Sequence, residues 1–258
     1  MYHNIFDSHA HYDDEQFDTD RAELLGSFKE NGISGVVCCG VNIPTSEFAV
    51  ELSHKYDFVY SAVGFHPLDN DEYREGDLEK IKALAADNKC VAIGEIGLDY
   101  HYEKESREIQ LELLEKQIIL ANELDMPVII HDRESHEDTL KLLKKHTPKG
   151  VVHCFSGSIE MAKEILKIGM YIGLGGAVTF KNAVKPCEVA KFVPDDRLLI
   201  ETDAPYMTPV PFRGKRCDSL HIPYTAEKIA ELRGVTAQEI LDLTDKNARE
   251  LFKISKKY

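Results

Sequence analysis

The chain has 258 residues, of which 43% are hydrophobic and 29% charged, a balance that argues against intrinsic disorder. Its formal net charge of −14 argues against a protein that coats duplex nucleic acid, because such proteins usually carry a basic face. No stretch approaches the roughly 20 apolar residues of a membrane helix and no secretory signal is visible, so we expect a cytoplasmic protein without a membrane partner.

Short apolar runs rich in valine and isoleucine alternate with longer amphipathic stretches. Near-continuous apolar runs are typical of parallel strands that are covered on both faces. The predicted strands are 4–9, 34–40, 58–65, 91–97, 127–131, 150–155, 170–175 and 198–202. Strand followed by helix, repeated along the chain, predicts an α/β fold in which residues 1–258 form a single (β/α)8 TIM barrel domain. An open doubly wound sheet is the alternative, but it would need a phosphate-binding glycine loop after its first strand.

The helix boundaries are indicated by capping residues and by proline. The clearest helical pattern, 106–124, repeats Leu and Ile at three- and four-residue spacing and stops before Pro127. The other predicted N-caps are Thr45, Asp77, Ser135 and Ser158. Thr236 and Glu239 have the spacing of a capping box at the start of the last helix.

The first predicted strand ends in a His-x-His pair. Side chains alternate between the faces of a strand, so Asp7, His9 and His11 should point to the same side. Two neutral imidazoles at one strand end form half of a typical transition-metal site. In a TIM barrel the carboxyl ends of the strands form the mouth where active sites lie.

Histidines and carboxylates end several other predicted strands, and a barrel would bring them to the same mouth. The candidate metal ligands are His9, His11, Glu95, His131, His153 and Asp203. Glu95 lies in an apolar, glycine-flanked run where an unpaired carboxylate would be costly to bury, so a cation is its expected partner. The set suffices for two divalent cations that share one carboxylate. Mixed imidazole and carboxylate ligands suit Zn²⁺, Mn²⁺, Co²⁺ or Ni²⁺, and Mg²⁺ less well.

Paired divalent cations are typical of hydrolytic enzymes, in which they activate water and stabilise the attacking and leaving oxygens. We expect Glu95 to bridge the cations and Asp203 to take the proton of the nucleophilic water, which makes these two carboxylates the predicted catalytic residues.

Basic residues near the predicted strand ends indicate the substrate. Arg133 follows His131 by two positions, and Arg213 and Lys215 lie in a positive loop beyond the last strand. Loops after the last strands of TIM barrels often bind phosphate, and guanidinium groups match phosphate oxygens in pairs. A phosphodiester substrate reconciles this loop with the acidic chain, and nearby aromatic residues such as Tyr100 and Tyr102 could stack bases.

Seven motifs in chain order resemble those of the TatD family of metal-dependent deoxyribonucleases, which are amidohydrolase-like TIM barrels. The motifs are DSHAH at 7–11, GFHP at 64–67, GEIGLDY at 94–100, HDR at 131–133, HCFSG at 153–157, ETDAPY at 201–206 and RGKR at 213–216. The resemblance implies one cation held by His9, His11, Glu95 and Asp203, and a second held by Glu95, His131 and His153. It also implies that His66 contacts the substrate phosphate. The implied activity is exonucleolytic hydrolysis of single-stranded DNA ends, and we expect a monomer.

The chain departs from the family pattern at two places, and other functions remain open. Cys217, Asp218 and Ser219 follow the basic loop where the family commonly has Asn and then Glu-Pro, and Gly173 stands where a serine is frequent. One alternative is an amidohydrolase acting on a small ester, lactone or amide, or on aminoacyl-tRNA. The other is a non-catalytic metal-binding barrel, whose sign would be a lost ligand.

Overall fold

A computed structural model describes residues 1–102 and 107–255, and within these residues eight parallel strands form one sheet in sequence order. The strands are β1 (Ile5–Ala10), β2 (Ile33–Cys39), β3 (Val59–Val63), β4 (Cys90–Asp99), β5 (Val128–Arg133), β6 (Gly150–Val152), β7 (Tyr171–Leu174) and β8 (Leu198–Ile200). Each strand pairs with the next one along the chain, which confirms the predicted TIM barrel. The doubly wound alternative is wrong, because its strand order reverses at a switch point.

Helices alternate with the strands, as the amphipathic stretches predict. The helices are α1 (Arg21–Ser27), α2 (Ile43–Lys55), α3 (Asp77–Ala85), α4 (Arg107–Glu123), α5 (His136–His146), α6 (Ile159–Ile168), α7 (Val184–Phe192), α8 (Ile222–Arg233) and α9 (Ala237–Leu251). Short 3₁₀ turns cover Glu15–Phe17, Lys29–Asn31, Pro67–Glu72, Gly176–Thr179, Asp195–Arg197 and Ser219–His221. The predicted first residue of α4, Ser106, lies outside the described residues. Across the described ranges, no helix has the length and apolar character needed to cross a membrane.

The predicted helix starts are correct where the cap is local and wrong where another residue competes. Ser158 and Thr236 are N-caps, and their side chains accept hydrogen bonds from backbone amides three residues later. The N-cap of α2 is Asn42, with the predicted Thr45 as its reciprocal partner three residues into the helix. Gly76 precedes α3, so Asp77 is its first helical residue.

Ser135 takes the N-cap position of α5 without capping it. Its hydroxyl lies within hydrogen-bond distance of two acceptors, the carbonyl of Leu98 at 2.9 Å and the Asp132 carboxylate at 2.6 Å. This hydroxyl therefore ties the start of α5 to β4 and β5, whose ends carry candidate site residues.

Several strands end sooner than their apolar runs predict, because the backbone turns where the polar residues begin. β6 ends at Val152, and Cys154 has a φ of 42°. β8 ends at Ile200, and Asp203 has a φ of 61°. Positive φ is uncommon for residues other than glycine. These turns carry His153 and Asp203 out of the strands.

A buried apolar cluster fills the inside of the barrel below its mouth. Every strand contributes to it, from Phe6 of β1 to Leu199 of β8, and Phe252 after α9 joins it. A larger cluster packs the strands against the surrounding helices. The barrel is therefore solid, and the polar strand ends form a surface on top of it.

The seam is the place where the first strand of the barrel, β1, meets the last strand, β8. Hydrogen bonds to the carboxylate of Asp7 join the two sides of this seam. Asp7 accepts hydrogen bonds from the Thr202 amide at 3.0 Å, the Thr202 hydroxyl at 2.6 Å and the Ser219 hydroxyl at 2.7 Å. The Asp203 amide donates to the carbonyl of His9 at 3.0 Å. Asp7 thus belongs to the seam rather than to the cluster around His9 and His11, and the seam places Asp203 beside those histidines.

Candidate metal centre

All six predicted metal ligands lie at the carboxyl end of the barrel around one point. Glu95 is on β4 and His131 on β5, while the other ligands lie on β1 or directly after β1, β6 and β8. Parallel strands of a closed barrel present their carboxyl ends on one face, so residues far apart in sequence meet there.

Glu95 lies at the middle of the centre, and its two oxygens face different histidines. Its Oε2 is 3.3 Å from His9 Nε2 and 3.2 Å from His11 Nε2. Its Oε1 is 2.9 Å from His131 Nδ1 and 2.7 Å from His153 Nε2. Because the carboxylate is only 3% exposed, these contacts replace its hydration. The centre therefore has two halves joined by one carboxylate.

The His9–His11 half also contains Asp203. The Nε2 atoms of His9 and His11 lie 3.0 Å apart, and each is 3.6 Å from Asp203 Oδ1. Both rings contact Cys39 of β2. His11 Nδ1 donates to the Cys39 carbonyl at 3.0 Å, and His9 Nδ1 lies 3.4 Å from the Cys39 sulfur. With its proton on Nδ1, a neutral His11 turns the lone pair of Nε2 toward the centre.

The His131–His153 half is supported by carboxylates. His131 Nε2 lies 3.1 Å from Asp99 Oδ2, so a neutral His131 donates to Asp99 and turns the Nδ1 lone pair toward Glu95. His153 Nδ1 lies 3.5 Å from Glu201 Oε1, which also accepts from the Cys154 amide. Over the described ranges, Glu201 Oε2 and His153 Nδ1 are buried without a hydrogen-bond partner.

The donor atoms fit divalent cations. Imidazole lone pairs that face a buried carboxylate are unfavourable unless a proton or a cation lies between them. Three groups of ligand atoms lie within 4.8 Å of one another: His9, His11 and Asp203; His9, Glu95 and His153; and His66, Glu95 and His131. Imidazole and carboxylate are the donors that transition metals prefer.

The same attraction shapes the titration of these groups. Burial lowers the pKa of His11, but the carboxylates of Asp203 and Glu95 more than reverse this and raise it well above its usual value. The pKa of His153 is likewise raised well above its usual value by Glu95 and Glu201 against burial. Burial would raise the pKa of Glu95, but the surrounding histidines hold it well below its usual range. The centre strongly favours positive charge.

His66, which follows β3, differs from the other histidines of the centre. Its Nδ1 accepts a hydrogen bond from the Leu68 amide at 3.1 Å, so a neutral ring carries its proton on Nε2, which lies 3.5 Å from Glu95 Oε1. Burial lowers the pKa of His66 to about 3, which keeps the ring neutral. His66 is therefore arranged as a hydrogen-bond donor at the edge of the centre.

The predicted basic residues surround the mouth. Arg133 is exposed at the end of β5, and Arg213 and Lys215 are exposed in the loop after β8. The Arg213 guanidinium lies 3.6 Å from the centre of the Phe180 ring. Arg216 of the same loop binds both carboxylate oxygens of Asp20, at 2.7 and 2.6 Å. Arg216 therefore anchors the loop.

Three of the residues that depart from the family pattern, Cys217, Asp218 and Ser219, lie at the base of this loop, whereas Gly173 is on β7. Cys217 is buried, and its amide donates to the Pro205 carbonyl at 2.9 Å. The Asp218 side chain caps the following turn. Ser219 joins the seam at Asp7. These residues hold the basic loop against β1.

Sequence reasoning missed three residues that support the histidines, namely Cys39, Asp99 and Glu201. Asp99 and Glu201 are 1% exposed. A carboxylate inside an apolar strand needs a partner, and this signal could have found Asp99 at the end of the run that contains Glu95. Cys39 gives no such signal, because a thiol in an apolar run is typical of a core.

Comparisons with known proteins agree with the fold and with a metal-dependent hydrolase. The family model described as TatD related DNase matches residues 6–253. The chain is 48% identical over 254 residues to the uncharacterized metal-dependent hydrolase YabD of Bacillus subtilis, covering 97% of this chain and 100% of that protein. It is 35% identical to the 3'-5' ssDNA/RNA exonuclease TatD of Citrobacter rodentium, covering 98% and 99% of the two chains. The crystal structure of the TatD homolog YJJV from Escherichia coli matches with a TM-score of 0.92 and 31% identity, covering 99% of this chain and 100% of that one.

The TIM barrel and its histidine–carboxylate centre define a metal-dependent hydrolase. The chain belongs to the TatD family.

Proposed function

We propose that this protein is an exonuclease that removes nucleotides from the 3' end of single-stranded DNA with two divalent cations. The observation that carries the proposal is the carboxylate of Glu95, whose two oxygens face two separate histidine pairs. The substrate and the polarity are supported by the name of the Citrobacter rodentium relative, a 3'-5' ssDNA/RNA exonuclease. The imidazole and carboxylate ligands of the centre suit Zn²⁺, Mn²⁺, Co²⁺ or Ni²⁺, and Mg²⁺ less well.

The two halves of the centre would each hold one cation. His9, His11 and Asp203 would bind the first together with Oε2 of Glu95, and His131 and His153 the second together with Oε1. When bound, such a pair supplies water activation and charge stabilisation at the phosphate.

Asp203 is the proposed acceptor of the water proton. Burial acts to raise the pKa of Asp203, but the neighbouring histidines lower it overall, so the carboxylate is ionised and able to accept a proton. Its side chain is 19% exposed, whereas that of Glu95 is 4% exposed. Asp203 therefore faces the open mouth, where water and substrate arrive.

The substrate phosphates would be bound by donors around the centre. His66 is neutral and directs its Nε2 proton inward, so it can donate to a non-bridging phosphate oxygen near Glu95. Arg133, Arg213 and Lys215 surround the mouth and add positive charge for phosphates further along the strand. The net charge of −14 disfavours broad contact with duplex and leaves binding to these local donors.

The test is digestion of 5'-labelled single-stranded and blunt double-stranded oligodeoxynucleotides by protein purified without chelator, with its bound metals measured. We expect about two cations per chain and a ladder that shortens from the 3' end of the single strand. Asp203→Asn should abolish the ladder. Contaminating nucleases of the expression host would produce a ladder with both proteins. The variant, purified in parallel, is therefore the matched control. A wild-type preparation that holds its cations but cleaves no phosphodiester would overturn the proposal.

The same preparation separates the proposal from the alternatives. Lactone, amide and aminoacyl-ester turnover without phosphodiester turnover would indicate the small-molecule or aminoacyl-tRNA hydrolase. The non-catalytic barrel is not favoured, because all six predicted ligands are present and meet at one point.

A further inference from the structure

Tyr102 and Arg133 form a cation–aromatic pair at the rim of the mouth. The guanidinium carbon of Arg133 lies 4.7 Å from the centre of the Tyr102 ring. Tyr102 is 60% exposed, so much of its ring is open to solvent. The pair is therefore accessible to a substrate that arrives at the mouth.

The pair is fixed to the metal centre by Asp99. Asp99 Oδ1 accepts hydrogen bonds from the His101 amide at 2.9 Å and the Tyr102 amide at 3.1 Å. Its other oxygen, Oδ2, lies 3.1 Å from Nε2 of His131. One buried carboxylate therefore holds both a candidate metal ligand and the backbone that carries Tyr102.

Arg133 is held on the same side of the barrel as His131. The two residues are two positions apart on β5, so their side chains project to the same face. Asp99 is the register partner of Arg133, and the Tyr100 amide donates to the Arg133 carbonyl at 2.9 Å.

We propose that Tyr102 and Arg133 form a stacking platform for the nucleobase next to the scissile phosphate. This inference rests on the proposed nuclease function. An aromatic ring and a guanidinium plane both stack on bases, and each stacked base adds a sequence-independent contribution to binding. A base at the end of a duplex is paired and stacked on its neighbour, whereas a single strand can place its base on the platform. The platform therefore selects single-stranded ends.

The test compares two 5'-labelled single-stranded oligodeoxynucleotides that differ only in the two 3'-terminal nucleotides, which are intact in one and abasic in the other. Tyr102→Ala and Tyr102→Leu should raise KM on the intact oligonucleotide by about 5- to 150-fold, the range of one lost stacking contact. Tyr102→Phe keeps the ring and should keep the wild-type KM. Ile119→Ala, an exposed apolar position on the outer helix α4, controls for surface truncation.

The abasic oligonucleotide makes the test specific. On this substrate wild type, Tyr102→Ala and Tyr102→Leu should have the same KM, because there is no terminal base to stack. Arg133→Lys keeps the charge but loses the planar group, so it should raise KM on the intact oligonucleotide more than on the abasic one.

Two results would overturn the platform. One is an equal rise in KM on both oligonucleotides, and the other is no rise on either. Both leave the nuclease function intact, since the wild type still cleaves. Failure of the wild type to cleave either oligonucleotide would instead overturn the proposed function.

Discussion

The two halves of the metal centre share Glu95 but are supported by different chemistry. The carboxylate of Asp99 contacts His131, and the carboxylate of Glu201 contacts His153. One residue, Cys39, contacts both histidines of the other half, His9 through its sulfur and His11 through its carbonyl. An outer carboxylate orients a ligand imidazole and raises its basicity, whereas a thiol is a weak partner. The two halves have similar candidate ligands but different supporting residues. Cations in the two halves should therefore respond differently to mutation and to pH.

The largest effect should come from removing the shared ligand. Glu95→Ala takes one ligand oxygen from each half and leaves the facing imidazoles without their common counter-charge. We expect the purified variant to lose both cations and to lose turnover by far more than the 10- to 100-fold typical of an outer-shell partner. Metal analysis and turnover on single-stranded DNA check this. Glu188→Ala, an exposed carboxylate on α7, should behave as wild type, and a Glu95→Ala protein that keeps one cation would show that the halves are independent.

The barrel and the meeting of the six candidate ligands at its mouth could be predicted because local patterns carry them. Apolar runs mark the strands, and the ligands follow them in short motifs. The burial signal could flag Asp99, but the partners of Asp99 and Glu201 could not be assigned in this way, because their contacts depend on the register between strands. Asp99 reaches His131 across 32 positions only because β4 pairs Gly97 with His131.

Boundaries were the weaker part of the sequence prediction for a similar reason. The predicted strands run past the residues at which the backbone turns, so β6 and β8 are shorter than predicted. Thr45 satisfies the rule for an N-cap but loses the position to Asn42, since the two residues cap each other. Such competition is decided by backbone geometry, which single-residue preferences do not contain.

The next largest effect should separate the halves. Asp99→Asn keeps the shape of the side chain but removes the charge that supports His131. Cation affinity in the His131–His153 half should fall about 10- to 100-fold, while the His9–His11 half keeps its affinity. Titration of the chelator-treated protein with Co²⁺, followed by absorbance, resolves the two binding events. An equal loss of cation affinity in both halves would contradict the claim that Asp99 supports only the His131–His153 half.

The dependence on pH should also differ between the halves. In the cation-free protein, burial lowers the pKa values of His131, His153 and His11, but the neighbouring carboxylates outweigh burial and raise all three. Burial lowers the pKa of His9. A raised pKa means that the ring keeps its proton to a higher pH than an ordinary histidine, and a cation must displace this proton. Binding should therefore weaken as the pH falls, by up to about tenfold per pH unit for each displaced proton, and more steeply in the His131–His153 half.

Calorimetry in two buffers of different ionisation enthalpy counts the released protons. We expect more protons from the His131–His153 half than from the His9–His11 half. Equal release from both would contradict the assignment of the raised pKa values.

The smallest effect should come from the thiol behind His9. Cys39→Ser replaces a sulfur that lies 3.4 Å from His9 Nδ1, and it leaves the backbone carbonyl that supports His11 in place. Cation affinity in the His9–His11 half should fall by less than the roughly tenfold lower limit for a carboxylate partner. Cys38→Ser is the matched control, because Cys38 is equally buried but belongs to the cluster outside the barrel. A larger loss than that of Asp99→Asn would reverse the ranking of the two halves.

The most direct test of the two-half centre is anomalous diffraction from crystals of the wild-type protein grown with Mn²⁺. The account predicts two anomalous peaks on opposite oxygens of Glu95, one in contact with His9, His11 and Asp203 and the other with His131 and His153. A single peak, or a second peak away from the Glu95 carboxylate, would contradict it.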